Sequence, residues 1–237
     1  MKFESLASSS TGNVYIVSDR DTRILLECGV SHKRLKELTG FSLSEFDACL
    51  VSHEHKDHSG CAAKLIADGT RVYMSQGTAL ALGLEGAALD AAEAMEHKSQ
   101  FTVKSLDIVP FTTFHDAKEP LGFLIRSRID GDILAFATDT VNLAYRFPGV
   151  NILAIEANFD QEILDTREKI PEKVRHRIAN THMEIERLCA YLRGLDLSRC
   201  REIYLLHLSD SSSREWAFIN RVRRVVPGHI KVTVCQK

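Results

Sequence analysis

The sequence predicts an α/β chain folded as a single domain over residues 1–237. Strand-like runs dominate the first half and are mixed with helical patterns in the second. A length of 237 residues with 44% apolar content is what α/β architectures commonly gather around one sizeable core. No internal repeat and no Pro/Gly-rich linker interrupts the chain.

Taken in order, residues 14–17 (Val-Tyr-Ile-Val) and 23–26 (Arg-Ile-Leu-Leu) are expected strands joined by the polar turn at residues 18–21. Helical patterns follow at residues 32–38 and 61–67, on either side of the apolar run at residues 48–51. Further strands are expected at residues 71–74, 101–103, 122–127, 133–137 and 151–157, the last with the composition of a buried strand. Residues 184–193 place Ile185, Leu188, Cys189 and Leu192 at helical spacing. A strand at 202–206, a helix at 215–225 and a last strand at 230–234 complete the pattern. The Ala-rich stretch at residues 87–94 reads as a helical insertion.

The densest chemistry lies directly after the apolar run Ala48 to Val51, where residues 53–58 read His-Glu-His-Lys-Asp-His. In an extended segment alternate side chains share one side, so His53 and His55 can converge on one ion. Asp57 and His58, where the chain turns towards Ser59-Gly60, can face a second. Imidazole with carboxylate suits Zn or Mn better than Ca or Mg, whose shells are built from oxygen.

Three more ligand-type residues stand where apolar runs end: His115 after residues 109–114, Asp139 after residues 134–138, and His207 after residues 203–206. One such position is commonplace; four in one chain, counting the first motif, amount to a site. A chemically complete dinuclear centre gives His53, His55 and His115 to one ion and Asp57, His58 and His207 to the other. Asp139 then serves as the carboxylate bridge.

Composition narrows the setting. A formal net charge of -2 gives no global attraction to nucleic acid or acidic membranes, so such binding must come from a local patch. No apolar signal core opens the sequence and no run reaches membrane-spanning length. Six cysteines at 28, 49, 61, 189, 200 and 235 form no Cys-x-x-Cys pair and sit mostly in apolar contexts. A cytoplasmic protein with no membrane association and no disulfide-linked partner is therefore expected.

The order His53-x-His55-x-Asp57-His58, His115, Asp139, His207 resembles the metallo-β-lactamase fold superfamily over nearly the whole chain. The resemblance implies a four-layer αββα sandwich with metals held by loops at one edge of two sheets. Glu27-Cys28-Gly29 falls where many members carry an Asp-x-Gly turn, which implies that Glu27 braces the metal loop from behind. The blocks Ser8 to Asn13, Phe114 to Ala117, Thr138 to Thr140, Glu156 to Asn158 and Pro171 to Ile178 are similar to those of the YycJ/WalJ-like proteins, cytoplasmic members associated with exonuclease action on DNA. Thr181-His182-Met183 and Leu205 to Ser209 resemble the C-terminal part of ribonuclease Z, which implies that His182 assists at the phosphate while His207 binds metal. Phe159, Glu184-Ile185 and Ser212-Ser213 depart from the first group's usual residues.

The expected chemistry follows from the ions. A hydroxide shared between two metals about 3.5–4 Å apart has a lowered pKa and attacks at neutral pH. His182, as general acid, and Asp57 are the expected catalytic residues. Asp116 is expected to orient a ligand histidine. Ser10 and Asn13, in a loop that can offer N–H groups to a phosphate, are candidate substrate contacts. Lys173, Arg175 and Arg177 are further candidates, within a basic strip that includes Arg167, Lys169 and His176, with a second cluster at Arg214, Arg221, Arg223 and Arg224. The function expected is a metal-dependent phosphodiesterase, a DNA exonuclease with nucleic acid as its partner. The alternatives are a hydrolase of a small phosphodiester, cyclic nucleotide, thioester or lactone, or a metal-binding regulatory protein without turnover.

Overall fold

The computed structural model describes residues 1–90, 92–167 and 170–235. Its chain divides into two compact units, one formed by Met1–Thr112 with Ala117–Asp132, the other by Thr113–Asp116 with Ile133–Cys235.

Among the described residues, the first unit holds nine strands. Six form one sheet in sequence order: β1 (Lys2–Ser9), β2 (Gly12–Ser18), β3 (Arg23–Leu26), β4 (Ala48–Leu50), β5 (Val72–Ser75) and β6 (Ala92–Met95). Pairing is antiparallel from β1 to β3 and parallel from β3 to β6. Helices at His32–Leu38 and Ala62–Ala67 bury Leu35 and Leu65 in a core with Val14, Leu25, Cys49 and Met74. The apolar run at residues 14–17 is buried on both faces, which explains why it does not alternate. β7 (Phe101–Val103), β8 (Leu106–Thr112) and β9 (Leu121–Ser127) form an antiparallel meander. Phe101 stacks on Tyr73 with ring centroids 4.7 Å apart.

The second unit is built on four parallel strands in sequence order, β10 (Ile133–Ala137), β11 (Ile152–Glu156), β12 (Glu202–Leu206) and β13 (Lys231–Val234). The helix at Ile185–Arg193 buries Ile185, Leu188, Cys189 and Leu192, the four positions its spacing predicts. Glu184 caps it by accepting the Arg187 N–H at 2.8 Å.

Two expectations are corrected. The Ala-rich segment is not one helical insertion: a short helix at Ala87–Asp90 gives way to β6, and Ala91 lies outside the described residues. Ladder bonding to β5 and burial of Met95 outweigh the helical propensity of a few alanines. Strand β1 has no counterpart among the expected strands, because its polar residues lack an apolar run; it is an edge strand with a register shift between Ser5 and Ala7. All six cysteines are buried, and no described helix is long and apolar enough to cross a membrane.

Candidate functional site

Parallel strands put their carboxyl ends at one edge, and loops leaving that edge are where α/β sheets place their chemistry. In the first unit, β3 runs into Glu27 and β4 into Ser52-His53. The strand then breaks into a short helix at Lys56–Ser59, with His55 at its N-cap. Ser59 ties the turn down, its hydroxyl donating to the Glu54 and His55 carbonyls at 2.8 and 3.0 Å. The His53 ring lies 4.7 Å from that of His55, edge-on, and 4.2 Å from that of His58. His53 Nδ1 meets the Ser52 hydroxyl at 2.9 Å, a contact that sets the ring's orientation.

Glu27 adopts a φ of 66° and is fully buried. Its carboxylate accepts the Ser52 N–H at 3.1 Å and reaches within 3.4 Å of His58 Nδ1. Burial pushes its pKa up, against the pull of His58 and Ser52. On the other side of His58, Nε2 lies 3.4 Å from the Asp57 carboxylate. Gly29 is required here for space: a Cβ on it would stand 1.6 Å from the Asp57 carbonyl oxygen.

In the second unit the strand register does the assembling. Ala137 pairs with Ile155 and Ile155 with Leu205, while Glu156 pairs with Leu206, so Asp139, Glu156 and His207 leave neighbouring strands at one edge. Asp139 and His207 take φ values of 36° and 52°, a conformation that costs a residue with a Cβ about 1–3 kcal/mol and turns both side chains off the strand path. Asp139 Oδ1 lies 3.0 Å from His207 Nδ1 and accepts the Thr138 hydroxyl at 2.9 Å. His182 joins them from the end of the helix at Glu172–Thr181, its Nδ1 2.6 Å from Glu156 Oε1. The other Glu156 oxygen accepts the N–H groups of Thr140 and Met183 at 2.8 and 3.0 Å. Burial would lower the His182 pKa, yet the charge and hydrogen bond of Glu156, helped by Asp139, raise it. Glu156 moves the opposite way, held low by His182 despite its own burial. One ligand atom from each of Asp139, Glu156, His182 and His207 falls within a 4.8 Å spread. A donor set of two carboxylates and two imidazoles fits a transition-metal ion.

His115, also in this unit, donates from Nδ1 to the Thr181 carbonyl at 2.8 Å, which leaves Nε2 as the candidate ligand atom. Its orientation comes from that carbonyl. Asp116 lies instead beside Nε2 at 3.2 Å and pairs with Arg177 at 2.8 Å. Arg177 is thus engaged by Asp116, Arg175 reaches the Asp165 carbonyl at 3.3 Å, and Lys173 is exposed. Lys169 lies outside the described residues. In the second basic cluster Arg221 pairs with Asp160 at 2.8 Å, while Arg214, Arg223 and Arg224 are exposed.

Ser10 is exposed. Asn13 is fully buried beneath the histidine motif, its amide donating to the Ser9 and Asp57 carbonyls at 3.0 and 3.1 Å and lying 3.3 Å from His58 Nε2. The candidate ligand that the sequence pattern does not single out is Glu156. A signal for it exists: a carboxylate ends the wholly apolar run at residues 152–155, just as Asp139 and His207 end theirs.

The profile described as beta-lactamase superfamily domain matches residues 22–208. Exodeoxyribonuclease YycJ of Bacillus anthracis is 27% identical over 230 residues, covering 92% of this chain and 86% of its own length. Exodeoxyribonuclease WalJ of Streptococcus pneumoniae is 28% identical over 249 residues, covering 98% of this chain and 91% of its own. The crystal structure of Zn(2+)-bound PqqB from Methylobacterium extorquens aligns with a TM-score of 0.73 at 13% identity, over 100% of this chain and 98% of that one, a likeness of fold alone. A profile match across most of the length, with strand ends that carry metal-type donors in each unit, makes this chain a member of the beta-lactamase superfamily with the α/β metallo-β-lactamase fold.

Proposed function

We propose that the chain, acting as one hydrolase domain, is a divalent-metal-dependent phosphodiesterase and specifically a DNA exonuclease of the cytoplasm. The observation that carries this reading is the convergence of Asp139, Glu156, His182 and His207 at the carboxyl ends of parallel strands. Relatives named as exodeoxyribonucleases, similar over most of their length, support the choice of substrate. On the ligand order in the sequence, two ions, Zn or Mn, are held by His53, His55, Asp57, His58, His115, Asp139 and His207.

When bound, such ions supply a nucleophile at neutral pH and neutralise phosphate oxygens. His182 has Nδ1 committed to Glu156, so Nε2 is the nitrogen free to hand a proton to the leaving oxygen. The buried Glu156 charge keeps that proton available by raising the imidazole pKa. Asp57 is the second catalytic residue in this scheme, beside His182.

The test is end-labelled DNA and RNA oligonucleotides incubated with purified protein and Mn or Zn, alongside a nitrophenyl phosphodiester. Stepwise shortening of DNA from one end is expected. Brisk turnover of the small ester with no cleavage of either polymer would sink the nuclease assignment and favour a small-ester hydrolase.

A further inference from the structure

We propose that a trench in the first unit, beginning at Asp57, seats the phosphate backbone of a nucleic-acid strand, with Lys56 and Arg34 as its cationic contacts; this rests on the nuclease reading above. A cavity of about 490 Å³ opens beside Asp57, and its walls include Ser10, Thr11, Ser31 and Lys56. A second cavity of about 280 Å³ shares Thr11 and Ser31 with the first and continues to Arg34. The two adjoin at Thr11, Val30 and Ser31, with a metal-motif carboxylate on the wall of one and a guanidinium on the wall of the other.

The charge along the trench is complementary to phosphate. Lys56 is exposed and lies on the wall of the first cavity. Arg34 lies in the helix His32–Leu38, which also carries Lys33 and Lys36 against the single acid Glu37. The Arg34–Glu37 pair, at 3.4 Å and exposed on both sides, holds the guanidinium only weakly. His32 and Lys64 are turned to Asp68, at 3.0 and 3.1 Å, away from this role. Serine and threonine hydroxyls on the walls add neutral phosphate donors.

Among the described residues no aromatic ring lines either cavity. Bases therefore have no stacking platform, and the grip falls on the backbone. Binding along the trench is consequently independent of sequence and steeply dependent on salt.

The experiment measures equilibrium binding of a fluorescein-labelled single-stranded DNA to the metal-free full chain across a salt series, so that no cleavage is needed. The Lys56→Ala/Arg34→Ala double variant should bind at least tenfold more weakly. Its slope of log K against log salt should flatten by about 1.4, since each single-strand phosphate left without its cation removes about 0.7. Lys33→Ala, on the same helix but lining neither cavity, should stay within twofold of the parent. An unchanged slope in the double variant, or an equal weakening in Lys33→Ala, overturns the trench. A parent protein that binds and cleaves no nucleic acid overturns the nuclease reading itself, a result distinct from a nuclease whose affinity ignores Lys56 and Arg34.

Discussion

His182 Nδ1 and Glu156 Oε1 lie 2.6 Å apart, and the carboxylate that makes this contact is fully buried. Its second oxygen is occupied by two backbone N–H groups, so both faces of the carboxylate are needed. In Glu156→Gln one of these partners must face an amide N–H₂ instead of an acceptor. The expected loss is about 1–3 kcal/mol of stability, the range for a buried polar group left without its partner. Urea unfolding of the metal-free protein measures it, and a variant within about 0.5 kcal/mol of the parent would show that the contact adds nothing net.

Gly29 makes a sharper prediction, because the clash it avoids involves backbone. With the Asp57 carbonyl 1.6 Å from the position of an added Cβ, Gly29→Ala cannot be accommodated by a rotamer change. The loop carrying Asp57 and His58 must shift, at a cost of about 1–3 kcal/mol or more. Metal stoichiometry by elemental analysis should fall along with the melting temperature. Retention of the parent's metal content and stability would show that the loop yields without consequence.

The site is partly legible in the sequence for a physical reason. Buried parallel strands are continuous apolar runs, and a histidine or aspartate at the end of such a run stands out; His53, Asp139 and His207 are of this kind. Glu156 has the same signature, but glutamate is so common at element ends that it carries little surprise. The left-handed conformations of Glu27, Asp139 and His207 leave no trace, because none is the glycine that usually marks them. Asn13 has the look of a substrate contact because its loop is polar; only the fold shows its amide spent on the Ser9 and Asp57 carbonyls. The basic residues of His32–Leu38 look like an ordinary helix surface in sequence, since their significance comes from the cavity beside them.

Asp19 predicts an acid dependence of stability. Its carboxylate accepts the N–H groups of Asp21 and Thr22 at 3.0 and 2.9 Å and the hydroxyls of Ser105 and Ser127 at 2.8 and 2.7 Å. Partial burial raises its pKa, but the Ser127 and Ser105 hydroxyls and the two N–H groups lower it more, leaving it below the ordinary 3.8. A folded pKa below the unfolded one means the stabilisation is complete above the unfolded value and disappears as pH falls through the folded value. Asp19→Asn should therefore cost about 1–2 kcal/mol at neutral pH, kept modest by the residue's partial exposure. Denaturant midpoints taken down a pH series should show the parent and variant converging below the unfolded pKa of 3.8. A gap that stays constant to the lowest pH would mean the charge contributes nothing and only the shape of the turn matters.

His182 distinguishes the two roles its position allows. It stands among the ligand-type atoms of Asp139, Glu156 and His207, yet its Nδ1 is committed to Glu156. It is also the more exposed of the two histidines, with 14% of its side chain accessible against 5% for His207. A proton donor must meet substrate, and that exposure suits the role. His182→Ala should keep the parent's metal content and lose turnover by roughly 10²–10⁴-fold, the usual worth of an acid–base group. His207→Ala should lose metal first and activity with it. Elemental analysis beside initial rates on a phosphodiester separates the cases: metal lost from His182→Ala would make His182 a ligand, and full activity in that variant would leave it a prop for Glu156.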